Sequence, residues 1–422
     1  MRFESSRIGN VLVIGGGIIG SCCAIELARS GLATTLVTPS TMHGTASWGN
    51  AGHIAIEQAE PLASMASLRA LPDRLFMRGG PVSLRPDQVR TWLPFALRML
   101  GASHPAAFER GKTALRRLLA HAMPAWERLA KDLRQQEMLH QAGHSLVWES
   151  ERGAAKGRAR WFAADTGPVQ LRDLSRGELG EIEEMVGRRL VGGLRFDGTG
   201  HIADLDLLAD RLPARFEELG GRILHDRVAA LHSRGDGRIE AVCESGVGLV
   251  PDAVVLSAGA ESASLLQTLG VGVPLIAERG YHIQGDAADW PADLAPIVFE
   301  DRSLIVTRFA SNLRAASYVE FADPLAPPDP RKWERLDADA RALNLPIADT
   351  HERWMGARPT LPDYLPAIGR SARHPSLFYA FGHQHLGLTL GPLTGEIVAA
   401  AVTGHNPSVD LAPFAMDRFG GR

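Results

Sequence analysis

The chain has 422 residues, a formal net charge of -3 at pH 7 and three cysteines, and hydrophobic residues make up 45% of it. The near-neutral charge and the lack of a basic block exclude nucleic-acid binding as the expected function. Cys22, Cys23 and Cys243 fit neither a disulfide framework nor a metal-ligand spacing, so a reducing compartment is expected. The chain begins without a signal-peptide pattern and no apolar run reaches about 18 residues, which predicts a cytoplasmic protein. At about 150 residues per domain, the length predicts two or three domains.

The first element is an apolar strand at Val11 to Ile14 that runs directly into the glycine spacing GxGxxG, formed by Gly15, Gly17 and Gly20. Gly15 permits a tight turn, Gly17 lets backbone amides approach a pyrophosphate, and Gly20 lets the following helix lie close to the strand. The helix N-terminus then faces the phosphates, where its N–H groups and dipole favour negative charge. This stretch predicts the βαβ start of a dinucleotide-binding domain.

The second strand of that unit ends in Thr38, Pro39 and Ser40, where dinucleotide-binding folds usually carry an acid. An acidic residue at that point would hold the ribose hydroxyls, and a nearby arginine would suit a 2′-phosphate. Neither is present, which disfavours NADP and removes the usual clamp for NAD. FAD buries more of itself in protein and tolerates a weaker ribose contact, so this motif alone leaves the choice of cofactor open.

Further elements are predicted from periodicity and turn residues. In chain order they are a small-residue loop at 41–60, amphipathic helices over 83–135, strands and turns over 145–200, a helix from Leu205 that ends at Gly220-Gly221, a hairpin around Gly235–Gly237, a buried strand at Val254–Leu256, two extended runs over 273–320, a helix near 331–345, a strand at Leu377–Ala380, and a helix that begins near Leu393.

The helical segment carries Arg85, Arg90 and Arg98 beside Trp92 and Phe95. Its apolar stripe is typical of a helix that packs into the core. The alternative is a peripheral contact with a membrane surface, through which the protein would lie at the inner face of the cell membrane.

Four short elements occur in a fixed order: GGGIIG from Gly15, VVLSAGA before residue 260, GARPTLPDYLPAIGR from Gly356, and GHQHLGLTLGP from Gly382. Together they resemble the FAD-dependent D-amino acid oxidase superfamily over essentially the full chain. The stretch Asn50-Ala51-Gly52 and the proline pattern after Arg358 are similar to bacterial D-amino acid dehydrogenases. The stretches ERGYH from Glu278 and GHQHLG from Gly382 are similar to the branch that oxidises cis-4-hydroxy-D-proline or D-proline.

The resemblance implies a mixed α/β fold in which a Rossmann-like FAD-binding domain carries an inserted mixed-sheet substrate domain. The expected FAD-binding domain comprises residues 1–85, 145–270 and 350–422. The expected substrate domain comprises residues 86–144 and 271–349. The superfamily has an acid at the position of Thr38, so the contact with the adenosine ribose is expected to come from the hydroxyls of Thr38 and Ser40.

The implied reaction is dehydrogenation of a D-amino acid to the imine, by hydride transfer to flavin N5, with electrons passed to a quinone or another non-oxygen acceptor. One alternative is a glycine or sarcosine oxidase that uses oxygen. A second is a non-catalytic FAD-holding subunit of an electron-transfer complex. The expected partners are therefore a small amino acid and an electron acceptor, and oligomer formation stays open.

Three residues are predicted to act on the substrate. Arg358 offers a bidentate fork to a carboxylate, against the alternative of an ion pair that closes the domains. Tyr281 is expected to donate a phenol hydrogen bond to the same carboxylate, against the alternative of a buried aromatic side chain. His53 follows the glycine-rich loop and faces the reacting centre or the flavin, or else is a structural histidine.

The predicted cofactor-binding residues lie in the motifs described above, except Val228, which follows the helix that ends at Gly220-Gly221. They are Gly15, Gly17, Ile18, Ile19, Gly20, Thr38, Pro39, Ser40, Ser47, Asn50, Ala51, Gly52, His53, Val228, Ser257, Ala258, Gly259, Gly356, Arg358, His383, Gln384, His385, Leu386, Gly387, Leu388 and Thr389. The pair His383 and His385 lacks the further ligands that a metal ion needs, so no metal site is predicted. Backbone N–H groups around Gly387 to Thr389 are expected to face the developing charge of the reduced flavin.

Overall fold

The computed structural model describes residues 8–40, 42–287, 289–347 and 352–420. The β-strands are β1 (Asn10–Ile14), β2 (Ala33–Thr38), β3 (His53–Ile54), β4 (Val82–Leu84), β5 (Leu139–His140), β6 (His144–Trp148), β7 (Gln170–Asp173), β8 (Gly192–Asp197), β9 (Gly200–Ile202), β10 (Arg222–His225), β11 (Val228–Ser233), β12 (Ile239–Cys243), β13 (Gly248–Leu249), β14 (Ala253–Leu256), β15 (Ile276–Asp286), β16 (Ile297–Phe299), β17 (Leu304–Arg308), β18 (Asn312–Ala322), β19 (Glu352–Thr360), β20 (Ala367–Arg370) and β21 (Leu377–Phe381). The α-helices are α1 (Ile18–Arg29), α2 (Met65–Arg74), α3 (Val89–Ala102), α4 (Pro105–Leu119), α5 (Ala122–Asp132), α6 (Glu151–Ala163), α7 (Arg176–Val186), α8 (Leu205–Glu218), α9 (Ser262–Thr268), α10 (Pro330–Ala342) and α11 (Gly387–Val402).

A six-stranded sheet in the order β10-β2-β1-β14-β21-β20 contains the predicted βαβ unit. Its strands are parallel except β20, which pairs antiparallel with β21. Along β1, Val11 and Val13 pack into the cluster with α1 and α11, whereas Leu12 and Ile14 pack into the cluster with α9 and the β11–β12 hairpin. Because both faces are covered, the strand is continuously apolar. The Rossmann-like part of the predicted fold is confirmed.

A mixed sheet in the order β19-β15-β18-β17-β16-β6-β8-β7, with β4 paired to β18, forms the second layer. One face of its central strands packs on α10, with Ile283, Leu313 and Leu336 in a common core. The opposite face borders a large cavity that also contacts the end of β1. The mixed sheet of the predicted fold is therefore confirmed as well.

Two groups of elements pack with a different part of the protein from the domain to which the sequence assigned them. Strands β6, β7 and β8 lie in the mixed sheet, although residues 145–270 were assigned to the FAD-binding domain. Helices α4 and α5, assigned to the substrate domain, share a core with α1 and α11 through residues such as Leu118 and Trp126. Apolar patterning identifies buried faces but does not say which sheet they cover, and the domain boundaries stay a prediction.

The region 145–200, predicted as strands and turns, also contains two helices, α6 and α7. In α6 only Gly157 is buried, so the helix has no apolar stripe for periodicity to detect. Helix α7 begins at a capping box formed by Ser175 and Glu178, a signal that the sequence does contain.

Helix α11 begins at Gly387, two turns before the predicted start near Leu393. Its glycines serve helix packing rather than a loop. A Cβ atom on Gly391 would lie 2.6 Å from the side chain of Ile18, and one on Gly395 would lie 2.6 Å from the carbonyl oxygen of Cys22. The stretch Gln384–Val402 is long and apolar enough to cross a membrane, contrary to the sequence prediction, but 72% of it is buried within the structure. It is accordingly a core helix packed against α1.

Between β15, β18 and α10 lies a buried ionic cluster of Arg279, Glu320, Asp329 and Lys332. The side chains of Arg279, Glu320 and Lys332 are 0% exposed. Lys332 Nζ donates to Glu320 Oε2 at 2.5 Å and to Asp329 Oδ2 at 3.1 Å, and Arg279 pairs with the other oxygen of Glu320. Two cations thus balance two anions, which burial requires. Although burial alone would raise the pKa of Glu320, the hydrogen bond and charge of Lys332 hold that pKa below its ordinary value.

We expect Glu320→Gln to lower the free energy of unfolding by about 3 kcal/mol, because it leaves two buried cations with one carboxylate. Urea unfolding at neutral pH, with the exposed Glu137→Gln as control, measures the difference. Since the folded-state pKa of Glu320 is depressed, its contribution is present above the unfolded-state value of about 4 and is lost as the pH falls below it. The difference in the free energy of unfolding between Glu320→Gln and Glu137→Gln should therefore become smaller in acid. A difference that does not change with pH would contradict the role of an ionised Glu320 in the cluster.

Candidate active site

A cavity of about 1890 Å³ extends from the glycine loop after β1 to the face of the mixed sheet. Its lining includes the ends of β1, β2 and β14 at one side and strands β15, β18 and β19 at the other. Because the carboxyl ends of parallel strands meet at one edge of a sheet, this is the edge where open α/β sheets bind ligands. The cavity therefore joins a nucleotide-type site to a second chamber.

The glycine loop makes the close backbone contacts that its sequence predicts. Gly15 has φ 110°, and a Cβ atom there would lie 2.5 Å from the carbonyl oxygen of Ser257. A Cβ atom on Gly20 would overlap the carbonyl of Gly15. Ser47 Oγ accepts a hydrogen bond from the N–H of Ile18 at 3.2 Å, at the first turn of α1. Backbone donors at a helix N-terminus beside small residues make a site that fits a pyrophosphate.

Thr38 ends β2 beside this loop and is 3% exposed. Its hydroxyl donates to the carbonyl of Ser40, so towards a ribose it can only accept a hydrogen bond. The N–H of Asp226, which follows β10, donates to the carbonyl of Thr38 at 3.2 Å and brings a carboxylate residue to the same corner of the cavity. The sequence offers no signal for this neighbour, because β10 lies far from β2 along the chain.

The loop at 47–53 is held from two sides. Asn50 Oδ1 accepts from the N–H of Gly52 at 2.9 Å, which forms a local turn. Arg314 on β18 donates to the carbonyls of Trp48 at 2.8 Å and Asn50 at 2.5 Å, and burial lowers the pKa of its guanidinium to about 10. The indole of Trp354 occupies the space that a Cβ on Gly49 would need. These contacts fix the loop against the substrate side of the cavity.

Most of the predicted cofactor-binding residues line this cavity. They are Gly15, Gly17, Ile18, Ile19, Thr38, Pro39, Ser40, Ser47, Asn50, Ala51, His53, Val228, Ser257, Ala258, Gly259, Gly356, Arg358, His383, Gln384, His385, Gly387 and Leu388.

Gly20, Gly52, Leu386 and Thr389 lie behind that surface and support it. Gly52 has φ 74° and packs against Phe309, and Leu386 is buried in the core. Thr389 Oγ1 accepts from the N–H of Ala55 at 2.9 Å and so ties α11 to the chain after β3. These four residues do not line the cavity themselves but shape the backbone that borders it.

Arg358 extends from β19 over Gly280 of the paired strand β15, where a Cβ atom would overlap its guanidinium. Its Nη1 donates to Glu278 Oε1 at 3.3 Å and to the carbonyl of Tyr318 at 3.2 Å. In the described part of the chain, Nη2 and Nε donate to no protein acceptor, and the side chain is 27% exposed. The position of Arg358 is therefore compatible with both expectations, a fork for a carboxylate and an ion pair. The ion pair with Glu278 occupies one guanidinium nitrogen and leaves two in the cavity.

Tyr281 is placed differently from the prediction. Its hydroxyl donates to Glu320 at 2.8 Å and accepts from the N–H of Asp329 at 3.1 Å, within the buried ionic cluster. Burial raises the pKa of this phenol well above its ordinary value. Although Tyr281 is among the residues that line the cavity, its hydroxyl proton is directed to Glu320 on the α10 side of the sheet and not toward Arg358. The alternative of a buried aromatic side chain is the one that the geometry favours.

His53 lines the cavity and forms a pair that sequence analysis missed. Its Nε2 lies 3.0 Å from Oε1 of Glu57, which is 2% exposed. Burial alone would raise the pKa of Glu57, but the charge and hydrogen bond of His53 lower it to about 2. Nδ1 of His53 has no hydrogen-bond partner among the described residues. The spacing His53-x-x-x-Glu57 was the available signal, although it does not lie on a helix.

Two further histidines surround this pair. The ring of His144 lies 4.4 Å from that of His53, and its Nδ1 lies 3.0 Å from Thr199 Oγ1. The charges of Arg358, Glu57 and His53 all act on His385, whose pKa is lowered to about 4 chiefly by burial. Arg358 and the His53–Glu57 pair therefore both lie near His385.

His53, Glu57 and His144 also offer metal-ligand atoms that lie within 4.8 Å of one another, a group that the sequence did not predict. One hydrogen bond joins His53 Nε2 to Glu57 Oε1, whereas His53 Nδ1 and Glu57 Oε2 have no hydrogen-bond partner among the described residues. His383 Nε2 lies 3.1 Å from Thr394 Oγ1, and burial lowers the pKa of His383 to about 3. Its neighbour Gln384 donates to the carbonyl of Tyr364, so these residues are positioned by hydrogen bonds within the protein.

The chain has relatives of similar length. It is 30% identical over 418 residues to a D-amino-acid oxidase of Bradyrhizobium diazoefficiens, a match that covers 97% of this chain and 99% of the relative. It is 28% identical over 426 residues to a D-amino acid dehydrogenase of Cereibacter sphaeroides, with coverage of 97% and 95%.

Solved structures share the fold. The glycine oxidase of Geobacillus kaustophilus matches with a TM-score of 0.74 and 21% identity over 97% of this chain and 99% of that one. The iminodiacetate oxidase of Chelativorans sp. BNC1 matches with a TM-score of 0.71 and 22% identity, over 96% and 98% of the two chains.

Residues 10–401 match the DAO family, which is described as FAD dependent oxidoreductase. The residues present fit this cofactor, because the cradle at Gly15 and Gly20 leaves no room for side chains beside the N-terminus of α1. The cavity also extends from that cradle to the mixed sheet. The chain therefore belongs to the DAO family and is an FAD-dependent oxidoreductase.

Proposed function

We propose that the protein dehydrogenates a D-amino acid to the imine and passes the electrons to a quinone or another non-oxygen acceptor. The observation that carries the proposal is Arg358, whose free guanidinium nitrogens face the same cavity as the glycine loop. A cationic fork beside a flavin site is what recognition of an amino acid by its carboxylate requires. The names of the two relatives described above support the same substrate class.

Arg358 is prepared for this role by its neighbours. Glu278 is 1% exposed and also accepts from the hydroxyls of Thr360 at 3.3 Å and Tyr364 at 3.2 Å. This carboxylate orients Nη1, and the space above Gly280 lets the guanidinium lie flat against the sheet. A substrate carboxylate would bind the remaining nitrogens and would find the fork already in position.

The His53–Glu57 pair supplies a proton acceptor. With Nε2–H donated to Glu57, Nδ1 of His53 carries a lone pair, is buried and has no hydrogen-bond partner among the described residues, and we infer that it takes a proton from the substrate ammonium group once the imidazole turns toward the cavity. Removal of that proton is needed because only the neutral amine releases a hydride readily. FAD, when bound, supplies the two-electron oxidant for that step. Glu57 then stabilises the resulting imidazolium.

The substrate is proposed to be a cyclic secondary amine such as cis-4-hydroxy-D-proline or D-proline. The direct test is anaerobic mixing of the FAD-loaded protein with cis-4-hydroxy-D-proline, D-proline, D-alanine, glycine, sarcosine and L-proline, while flavin absorbance is followed. Bleaching by the D-amino acids and not by L-proline is expected. Bleaching by none of them would overturn the proposal.

The acceptor is tested separately, because one relative is named an oxidase and the other a dehydrogenase. Turnover in air without an added dye, with production of peroxide, would favour an oxygen-using oxidase of the glycine or sarcosine type. Turnover that requires a quinone analogue would favour the dehydrogenase.

For Arg358→Met we expect the KM for the substrate to rise about a hundredfold, equivalent to about 3 kcal/mol of lost carboxylate binding. The spectrum of the bound flavin should not change, because Arg358 acts at the substrate end. Arg353→Met is the matched control, since Arg353 lies on the same strand and pairs with Asp337 outside the cavity. Steady-state kinetics that give equal KM values for the two variants would contradict the anchor role.

For His53→Gln and Glu57→Gln we expect anaerobic flavin reduction to slow about a hundredfold near neutral pH, because the proton acceptor is lost or no longer oriented. The deficit should shrink as the pH rises, since more of the substrate amine is then already neutral. Stopped-flow reduction rates across the pH range measure this. A deficit that is the same at every pH would indicate a purely structural role for the pair.

A further inference from the structure

Exposed apolar side chains are concentrated in one segment of the protein. Of the nine large hydrophobic side chains that are exposed among the described residues, six fall within residues 65–100. Four of them follow one face of α3, with exposures of 39% for Val89, 43% for Leu93, 62% for Leu97 and 53% for Leu100. Their spacing of four, four and three residues makes a continuous stripe along the helix. We call this set the α3 stripe.

The α3 stripe is not the face by which the helix is attached to the protein. The attached face carries Trp92, Phe95 and Met99, which belong to a common core, and the rings of Phe95 and Phe321 lie 5.5 Å apart. Trp92 Nε1 also donates to the carbonyl of Arg85 at 2.8 Å. Helix α3 therefore has a second apolar face, the α3 stripe, which is exposed to solvent. An exposed apolar face of this kind is uncommon on a protein that binds no partner at that surface.

The surroundings of the stripe are basic, although the whole chain has a net charge of -3. Residues 65–100 contain six arginines and two aspartates. Arg90 and Arg98 on α3 are exposed, and neither has an ion-pair or hydrogen-bond partner in the described ranges. Long basic side chains beside a helical apolar stripe are the arrangement by which helices lie on anionic lipid surfaces.

We propose that α3 docks the protein on an anionic lipid bilayer, with the α3 stripe in the headgroup region and Arg90 and Arg98 on lipid phosphates. A second copy of this chain suits the surface less well, because a two-fold contact through the stripe would bring the same arginines together. The outward stripe lies on a single convex helix, which a fluid surface can cover without a complementary groove.

Docking through α3 would bring the mouth of the cavity to the bilayer. A smaller pocket beside α3 is lined by Arg90 and Arg98 and shares Ala260, Asp323 and Pro324 with the large cavity. Leu325, which also lines the large cavity, is 92% exposed. A lipid-soluble acceptor would thus enter from the membrane side, a consequence that rests on the proposed function, whereas the docking itself does not.

The test is sedimentation of the FAD-loaded full chain with vesicles of phosphatidylcholine and phosphatidylglycerol, compared with phosphatidylcholine alone. Binding to the anionic vesicles is expected, and added salt should weaken it by screening. The variant Leu93→Gln/Leu97→Gln should lower the affinity about tenfold through loss of apolar insertion. The variant Arg90→Gln/Arg98→Gln should remove most of the preference for anionic lipid.

Val247→Gln is the matched control, because Val247 is 46% exposed but lies outside the segment 65–100. An unchanged flavin spectrum and melting temperature would confirm that each variant is folded. The proposal is overturned if the wild-type protein binds neither vesicle, or if the leucine variant binds like the wild type. It is also overturned if light scattering shows a dimer that Leu97→Gln dissociates. Substrate bleaching of the flavin, measured on the same samples, reports on the proposed function independently.

Discussion

The pairing of β15 with β18 and β19 decides which side chains meet the cofactor cavity, and the chemistry of the protein depends on it. Side chains alternate between the two faces of a strand, so Glu278 and Gly280 face the cavity while Arg279 and Tyr281 face α10. The register that sets Glu278 opposite Arg358 places the guanidinium over Gly280. The proposed substrate anchor and the buried ionic cluster thus lie on opposite faces of the same strands.

A β-bulge in the pairing of β15 with β18 changes the face of the sheet to which the following side chains of β18 point. The register of β15 with β18 shifts between Arg279 and Tyr281, and Tyr318 adopts φ 70°, a left-handed value that is rare for a tyrosine. Before the bulge, Arg314 points to the cavity side and holds the loop at 47–53. After it, Glu320 points to α10 and pairs with Arg279. The bulge therefore lets one strand present a cation, Arg314, on the cavity side and a carboxylate, Glu320, on the α10 side.

The cofactor end is organised by close packing of backbone rather than by charge. The approach of Gly15 to Ser257 brings β14 next to the loop after β1, and Gly391 and Gly395 let α11 lie on α1. Thr389 then ties α11 to the chain that carries His53 and Glu57. The His53–Glu57 pair, proposed to accept a proton, is in this way positioned by the same helix that supports the nucleotide site.

The sequence by itself determined the βαβ unit, because that unit depends on local periodicity and on glycines of fixed spacing. The resemblance of its motifs to the family supplied FAD as cofactor and Arg358 as a cation of the cavity. Only the tertiary structure decided that the Tyr281 hydroxyl is hydrogen-bonded to Glu320 and Asp329, because the face that a strand residue occupies is fixed only once the neighbouring strands are known. It alone paired His53 with Glu57 and set Asp226 beside Thr38. It also showed that α11 begins at Gly387, since its glycines serve a contact with α1 that local sequence does not encode.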